Sequence, residues 1–540
     1  MKRLIIVGMA GALGLSLAGT SAGQAAPAPT GLDAVAVASS TAPSVHWGSC
    51  PTGSYDYASY GIQCGTLRVP LDYRHPHGRQ ITLEVSRRKH DPKAGPSKGI
   101  ILINPGGPGG SGLIMPYLQQ YVPHSVGMRY DWIGFDPRGV GASRPALHCN
   151  RELFGTDRPY YVPNRKRTKY WLGITKRYAH DCATSKASRL LPHMTTADNA
   201  RDMDRIRAAL GQSKMSYYGF SWGTYLGAAY AKLFPHRVKR MILDGVVNPN
   251  RVWYGANLDQ DRAFDRNMDV YWRYLAKHDD SFHLGTDWKT IKTGYYAEVQ
   301  KLRGHPRAGG RLGPDELGDA MLDAGYYVYD WVDIGNAYSA LINKGEGRAL
   351  FKMYKSSSMG ADAENGYAVY DAVQCTDNPW PGWKKTRSDS WRVYQKAPFL
   401  TWGNTWYNAP CLHWGVPAQH RLHMSGKRLK HHVLMISETK DAATPFSGAL
   451  ELRKLFPTAS LIAGRNGTTH AGSLSGVACV DNKIARYLAN GSVPRRVAGN
   501  RADVYCPHVP APQPTSTSTS GRRMLDLRAV LMRAQQSMLR

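Results

Sequence analysis

The sequence is notable first for what it lacks. It has no Cys-x-x-Cys pair, so a zinc site of the thiolate-ribbon type is not expected. Its most glycine-rich stretch, residues 104–112, lacks the Lys-Ser/Thr ending of a phosphate-binding P-loop, which argues against that alternative. No zinc spacing is matched by the loose histidine cluster His413, His420, His423, His431 and His432. We therefore expect no metal and no cofactor.

Acidic residues are also scarce. Asp and Glu number 40 against 69 Lys and Arg, which gives a formal net charge of +29. No recognised nucleic-acid-binding motif accompanies this charge, so no nucleic-acid partner is expected. The simplest interpretation is a basic, soluble surface, and the alternative is a weak attraction to anionic cell-wall polymers.

The N-terminus predicts export. A basic start, a short apolar stretch broken by glycines and a small-residue exit predict a signal peptide over residues 1–26, with a retained membrane anchor as the alternative. No later apolar run reaches the about 20 residues of a membrane span. An even number of cysteines suits an oxidising compartment, and their distribution suggests that neighbours pair in order. We expect a secreted, extracellular protein with disulfides among Cys50, Cys64, Cys149, Cys182, Cys375, Cys411, Cys479 and Cys506.

Short apolar runs alternate with helical patterns along much of the chain. One such helical pattern covers residues 195–210, with Thr196 as its predicted cap. This alternation predicts an α/β fold with a mostly parallel sheet covered by helices on both faces. The predicted strands are residues 65–69, 81–85, 100–103, 132–135, 215–218, 241–243, 433–436 and 461–463.

The alternation lapses between residues 249 and 426, where Trp and Tyr are frequent and the patterns are helical. We interpret this region as an inserted, mainly helical lid. The predicted organisation is then a signal peptide (1–26), a linker or pro-segment (27–45), the first part of the core (46–248), the lid (249–426), the C-terminal part of the core (427–506), and a Pro/Ser/Thr linker with a basic tail (507–540).

Ser221 is the candidate nucleophile. It lies in the pentapeptide Gly-Phe-Ser-Trp-Gly of residues 219–223, between an apolar run and a helical run rich in small residues. Such a serine sits on a sharp strand-to-helix turn, and the glycines leave room for the strained backbone that exposes its hydroxyl. A chain with 55 glycines can contain this pattern by chance, so the surrounding sequence decides whether Ser221 is interpreted as a nucleophile.

A serine hydroxyl needs an imidazole to take its proton and a carboxylate to orient that imidazole. Asp441 follows the predicted strand 433–436, and His470 follows the next strand, so the acid precedes the histidine as in α/β-hydrolases. Glu438 is a rival for the acid. Taken singly, Asp441 could instead cap a helix, and His470 is one of 19 histidines.

Acyl transfer also requires hydrogen-bond donors for the oxyanion. The glycine-rich stretch 104–112 follows the predicted strand 100–103, where such a loop belongs. We assign the two donors to the backbone of Gly107 and of Trp222, the residue after the nucleophile.

These segments resemble the secreted tripeptidyl aminopeptidases, which are relatives of proline iminopeptidase with an α/β-hydrolase fold. The resemblance covers residues 50–506, with its motifs at 104–112, 131–143, 218–227, 244–247 and 441–445. It implies serine-dependent removal of short peptides, typically tripeptides, from free N-termini. Trp222, at a position where the family often has a smaller or tyrosine-like residue, and the basic tail depart from the family pattern.

The leading hypothesis is a secreted serine exopeptidase whose partners are peptides with a free N-terminus. Such an enzyme must recognise an α-ammonium group, for which we predict the carboxylate of Asp377. One alternative is an extracellular esterase or amidase with the same triad, because the fold and the triad do not determine which acyl group is hydrolysed. The other is a non-catalytic, wall-associated binding protein.

Overall fold

The computed structural model describes residues 44–53, 55–151, 158–358, 361–419 and 421–514. The predicted signal peptide, nearly all of the predicted linker and the tail from residue 515 lie outside the described residues, as does His420.

One ten-stranded sheet runs through the described part of the chain. Its central strands are continuous apolar runs buried on both faces, as parallel strands covered by helices require. In chain order the strands are β1 (His46–Gly48), β2 (Gln63–Pro70), β3 (Gln80–Arg88), β4 (Ile100–Asn104), β5 (Asp131–Phe135), β6 (Met215–Phe220), β7 (Val238–Asp244), β8 (Val433–Glu438), β9 (Ala459–Arg465) and β10 (Val504–Pro507).

The strand order is β1-β2-β3-β5-β4-β6-β7-β8-β9-β10. The three pairs at the β1 edge are antiparallel. All pairs from β5 to β10 are parallel. This mostly parallel sheet confirms the predicted α/β architecture, and it brings the loops that follow β4, β6, β7, β8 and β9 to one edge.

Helices cover both faces of the sheet. Side chains alternate across the pleat, so Ile101 and Ile103 of β4 join one apolar cluster while Ile100 and Leu102 join the other. The α-helices are α1 (Arg165–Thr184), α2 (Thr196–Ala209), α3 (Trp222–Leu233), α4 (Tyr254–Lys277), α5 (Asp279–Phe282), α6 (Trp288–Leu302), α7 (Pro314–Tyr326), α8 (Trp331–Lys344), α9 (Arg348–Ser358), α10 (Ala361–Asp377), α11 (Trp383–Tyr394), α12 (Thr401–Tyr407), α13 (Ser447–Leu455) and α14 (Ala478–Asn490).

Helices α4 to α12 form the inserted segment between β7 and β8. Aromatic side chains hold it together, for example Tyr271 of α4 against Trp331 of α8. Stacking of Trp406 of α12 on Trp171 also joins this segment to α1. No helix in the described ranges combines the length and apolarity that crossing a bilayer requires.

Four disulfides join consecutive cysteines, in the order that their distribution suggests. One of them links the inserted segment to itself, and another links α14 to β10. The pairs are Cys50–Cys64, Cys149–Cys182, Cys375–Cys411 and Cys479–Cys506.

Arg138, in the loop after β5, forms a fully buried ion pair with Asp202 of α2. Its Nε and Nη2 donate to the two carboxylate oxygens at 2.8 and 2.7 Å. Its Nη1 donates to the carbonyl oxygens of Leu71 and His193. The Tyr73 hydroxyl adds a third hydrogen bond to the Asp202 carboxylate, so one guanidinium ties four parts of the chain together.

Replacing Arg138 by methionine is expected to lower the free energy of unfolding by about 3 to 5 kcal/mol, because the Asp202 carboxylate stays buried without its cation. Urea denaturation followed by circular dichroism measures this loss. The double variant R138M/D202N is expected to recover part of the stability, since it removes the orphaned charge. A single variant within about 0.5 kcal/mol of wild type would contradict this role.

Candidate active site

Ser221 lies at the sharp turn between β6 and α3, with φ 53° and ψ −124°. A non-glycine residue rarely adopts this conformation, and such strain is typical of functional sites. The flanking glycines are required by space, since a Cβ at Gly219 would lie 2.4 Å from the Gly223 carbonyl oxygen. The Ser221 amide donates to the Asp244 carbonyl oxygen at 2.9 Å, which ties the turn to the end of β7.

The predicted acid and base are in direct contact. His470 Nδ1 lies 2.8 Å from Oδ2 and 3.0 Å from Oδ1 of Asp441, and both side chains are buried. A carboxylate can only accept, so Nδ1 carries the proton and Nε2 is left to accept one. Thr444 donates its amide and its hydroxyl to the two Asp441 oxygens, at 2.9 and 2.8 Å, and so fixes the carboxylate.

The turn after β7 connects His470 to Ser221. The imidazole packs so closely on Gly245 that a Cβ there would lie 2.9 Å from His470 Cε1. Gly245 also has φ +68°, which disfavours any side chain. The preceding residue, Asp244, accepts the Ser221 amide, so the imidazole and the Ser221 turn contact two adjacent residues of the chain.

A pocket opens at Ser221. It is lined by Gly107, Ser221, Trp222 and Thr444, so the predicted nucleophile, both predicted oxyanion donors and the threonine that holds Asp441 share one cavity. Gly106 approaches Ser221 so closely that its Cβ would lie 2.7 Å from that of Ser221. The remaining lining residues are Val247, Asn248, Trp253, Ala256, Asn257, Asp259, Gln260, Tyr370, Gln374, Ala443, Pro445 and Ser447.

The backbone amides of the two predicted oxyanion donors are available for different reasons. Gly107 has φ +110° in the loop after β4, a conformation that favours glycine. Trp222 is the first residue of α3, where amides lack an intrahelical acceptor. The Trp222 side chain is buried, and its Nε1 donates to Thr196 Oγ1 at 3.2 Å.

The inserted segment supports the loop after β9 that carries His470, which we call the histidine loop. The His470 amide donates to the Tyr326 carbonyl oxygen at the end of α7, at 2.8 Å. The ring of Tyr326 also meets the imidazole edge-on, with ring centres 5.9 Å apart. Beside them, Thr469 Oγ1 accepts the Val328 amide at 3.3 Å. The segment predicted as a lid therefore also holds the backbone that carries the predicted base.

Asp377 does not line this pocket, which corrects the expected placement of this residue. Its oxygens accept the Thr196 amide at 2.8 Å, the Thr196 hydroxyl at 2.6 Å and Trp253 Nε1 at 3.1 Å. Burial raises the pKa of Asp377 to about 6, and these hydrogen bonds oppose the rise. The N-cap of α2 is Thr195, one residue before the predicted cap, so the Thr196 hydroxyl is available to donate to Asp377. The carboxylate thus holds Trp253, a pocket wall, from behind.

Sequence reasoning missed three residues of the site. Thr444 and Gly245 gave no signal beyond their place in the motifs 441–445 and 244–247. Asp244, at the end of β7, accepts the Ser473 amide of the histidine loop at 2.8 Å, and burial raises its pKa to about 6. Long-range contacts of this kind have no local sequence pattern.

Comparison with known proteins agrees with this architecture. Residues 99–463 match the family model of the alpha/beta hydrolase fold. The chain is 37% identical over 466 residues to a tripeptidyl aminopeptidase of Streptomyces coelicolor, covering 84% of each protein. It is 32% identical over 455 residues to the serine protease Hip1 of Mycobacterium tuberculosis, covering 80% of this chain and 86% of that protein.

A third relative, named carboxylesterase B, comes from Mycobacterium tuberculosis and is 31% identical over 480 residues, covering 84% of this chain and 89% of that protein. The family match spans well over half of the chain, and the matches to peptidases span four fifths of it or more. The chain therefore belongs to the α/β-hydrolase family, within the tripeptidyl aminopeptidase-like serine peptidases.

Proposed function

We propose that this protein is a secreted exopeptidase that releases tripeptides, or dipeptides, from free N-termini through a Ser221-His470-Asp441 triad. One observation carries the proposal: His470 is hydrogen-bonded to Asp441 at 2.8 Å and packs on the turn that anchors Ser221. The four disulfides support secretion, since such bonds persist in oxidising compartments.

In the acylation step, Ser221 Oγ attacks the scissile carbonyl carbon while His470 Nε2 takes the hydroxyl proton. The carbonyl oxygen gains a negative charge, which the amides of Gly107 and Trp222 stabilise. Asp441 stabilises the imidazolium that forms without taking its proton. Collapse of the tetrahedral intermediate breaks the C–N bond, and His470 gives its proton to the leaving amine.

The acyl-enzyme then carries the N-terminal fragment as an ester on Ser221. A water molecule attacks this ester, and His470 Nε2 takes a proton from it. The second tetrahedral intermediate collapses to the free carboxylate of the fragment, and the proton returns to Ser221 Oγ. One water is consumed for each peptide bond broken, and the enzyme returns to its starting state.

Exopeptidase action requires an acceptor for the α-ammonium group, and we propose Asp259 in place of Asp377. Asp259 is the one acidic residue among those that line the Ser221 pocket in the described part of the chain, and 30% of its side chain is exposed. Arg251 holds its two oxygens at 2.7 and 2.8 Å, which fixes the carboxylate in one orientation. Carboxylate oxygens accept more than one hydrogen bond each, so an ammonium group can still bind.

The test uses paired substrates. We expect a tripeptide amide with a free N-terminus to be cleaved with a kcat/KM at least about 100-fold above that of its N-acetylated form, because acetylation removes the charge-assisted hydrogen bond and adds bulk. Chromogenic amides give the rates. Equal turnover of the blocked and free peptides would reject the exopeptidase assignment.

Asp259→Asn is expected to raise KM for the free tripeptide amide about 10-fold with little change in kcat, because the lost charge weakens binding away from the reacting bond. The acetylated substrate is expected to be unaffected. Asp280→Asn, on the exposed surface of α5, is the matched control and is expected to behave as wild type. A D259N enzyme with an unchanged KM for the free substrate would exclude Asp259 as the ammonium acceptor.

The relative named carboxylesterase B favours a second candidate function, hydrolysis of simple carboxylic esters by the same triad. Esters of short acyl chains without an amino group separate the two functions. Higher kcat/KM on these esters than on free tripeptide amides would favour the esterase.

A further inference from the structure

Glu438 closes β8 three residues before Asp441, and the triad does not use it. Only 7% of the residue is exposed, and its carboxyl points into the loop that carries His470. Oε1 accepts the Val509 amide at 3.2 Å, and Oε2 has no hydrogen-bond partner within the described residues. A buried, half-satisfied carboxyl beside the predicted triad needs an explanation.

Three glycines make the space that this carboxyl occupies. A Cβ at Gly464 would lie 1.9 Å from Oε2, one at Gly467 would lie 1.7 Å from it, and one at Gly472 would lie 3.3 Å from Oε1. None of the three has a positive φ, so their backbone conformations do not demand glycine. What these positions require is the absence of a side chain. We call Gly464, Gly467 and Gly472 the glycine cradle.

The glycine cradle lies where two loops meet. They are the loop after β8 that carries Asp441, here called the acid loop, and the loop after β9 that carries His470, the histidine loop. The Thr439 amide donates to the Gly464 carbonyl oxygen at 2.9 Å, and the Lys440 amide donates to the Gly467 carbonyl oxygen at 2.8 Å. These bonds flank the Glu438 carboxyl on the acid-loop side. The carboxyl therefore fills the seam between the two loops whose separation sets the Asp441–His470 distance.

The groups that face this carboxyl favour its neutral form. Burial, together with the negative charges of Asp244 and Asp441, raises the pKa of Glu438 to about 8, and the Val509 hydrogen bond opposes this rise. Tyr329, from the inserted segment, also faces it and brings no positive charge.

The cations closest in sequence do not offset this effect. Lys440 and Arg465 are exposed, and Arg465 stacks on Tyr505. His508, behind Gly467, is exposed and uses Nδ1 on the Arg465 carbonyl oxygen at 2.9 Å. The surroundings of Glu438 therefore favour its carboxylic acid form at neutral pH.

We propose that Glu438 is a positioning residue, which fills the glycine cradle as a neutral acid and so holds the Asp441 loop against the His470 loop. The proposal rests on the proposed triad. Since the pKa in the folded protein exceeds the ordinary value of 4.5, the stabilisation is present at low pH and is lost as pH rises through about 8. An ionised carboxyl draws toward water and pulls the acid loop with it.

The decisive variant is Glu438→Gln, which keeps the shape of the side chain and removes its ionisation. Wild type is expected to lose kcat/KM on the free tripeptide amide as pH rises through about 8. E438Q is expected to keep at least half of the wild-type activity at pH 7, because glutamine has nearly the same shape as the neutral acid. The variant is also expected to shift the alkaline loss of activity upward by one pH unit or more. E298Q, which changes a buried glutamate of α6 outside the site, is the matched control and is expected to keep the wild-type profile.

A second readout separates positioning from folding and from substrate binding. The rate of Ser221 labelling by a fluorophosphonate, measured from pH 5 to 10, is expected to follow the same alkaline loss in wild type and to show it at least one pH unit higher in E438Q. If the labelling rate of E438Q falls at the same alkaline pH as that of wild type, the proposed role of Glu438 is wrong, while the proposed triad is unaffected. If wild-type Ser221 is not labelled at any pH, the proposed triad fails, and this role with it.

Discussion

Replacing Ser221 by alanine is expected to lower kcat on the free tripeptide amide by about 10⁶-fold, the scale on which serine hydrolases depend on their nucleophile. The structural reason is the turn between β6 and α3. Its strained φ of 53° presents this one hydroxyl to the pocket beside the predicted oxyanion donors. Steady-state kinetics and loss of fluorophosphonate labelling measure the effect.

Ser492→Ala is the matched control for this experiment, because Ser492 is exposed in the segment that follows α14. We expect it to keep wild-type kinetics and labelling. Thermal unfolding of S221A should match wild type or exceed it, since alanine carries the same strained backbone and loses no hydrogen bond that the described contacts include. Residual activity of S221A above about 1% of wild type would show that another residue attacks the substrate.

Asp441→Asn is expected to lower kcat by about 10⁴-fold while leaving KM within a few-fold of wild type. The carboxamide no longer requires Nδ1 of His470 to carry the proton, so the imidazole can adopt the tautomer that leaves Nε2 unable to accept one. Thr444 worsens the effect, because its backbone amide can donate only to the carboxamide oxygen. With that oxygen at the position of Oδ1, the new NH₂ group takes the position of Oδ2, which lies 2.8 Å from His470 Nδ1. Rates of Ser221 labelling give the same ratio without substrate binding.

The same experiment tests Glu438, the rival for the acid of the triad. If it were the acid of the triad, D441N would keep activity within about 10-fold of wild type and E438Q would lose it. The described contacts favour Asp441, because both of its oxygens lie within 3.0 Å of His470 Nδ1. The opposite ranking of D441N and E438Q would reverse the assignment.

The strands of the sheet were predictable where they are buried. Each of the eight predicted strands lies within β2 to β9, because each of these strands contains a run of largely buried apolar residues. The runs are continuous in central parallel strands such as β4, whose two faces are both covered. The edge strands β1 and β10 were missed. β1 has three residues and no buried one, and β10 has a single buried residue, so neither leaves an apolar signature.

The predicted triad followed from order along the chain, since parallel strands place the loops after β6, β8 and β9 at one edge. Asp377 shows the limit of that reasoning. Its sequence neighbours give no sign of its partners, which are Thr196 and Trp253 from more than 100 residues away. Contacts of this range depend on tertiary packing, and the glycine cradle was unpredictable for the same reason.

The hydrogen bond from the His470 amide to the end of α7 limits how this enzyme can be redesigned. The inserted segment makes two different contributions: α4 and α10 supply pocket walls such as Asn257 and Gln374, whereas α7 helps to anchor the predicted base, His470. Grafting a whole insertion from another hydrolase would exchange both at once and put turnover at risk. Engineering of substrate choice should therefore vary the two wall helices and leave the Tyr326 backbone as it is.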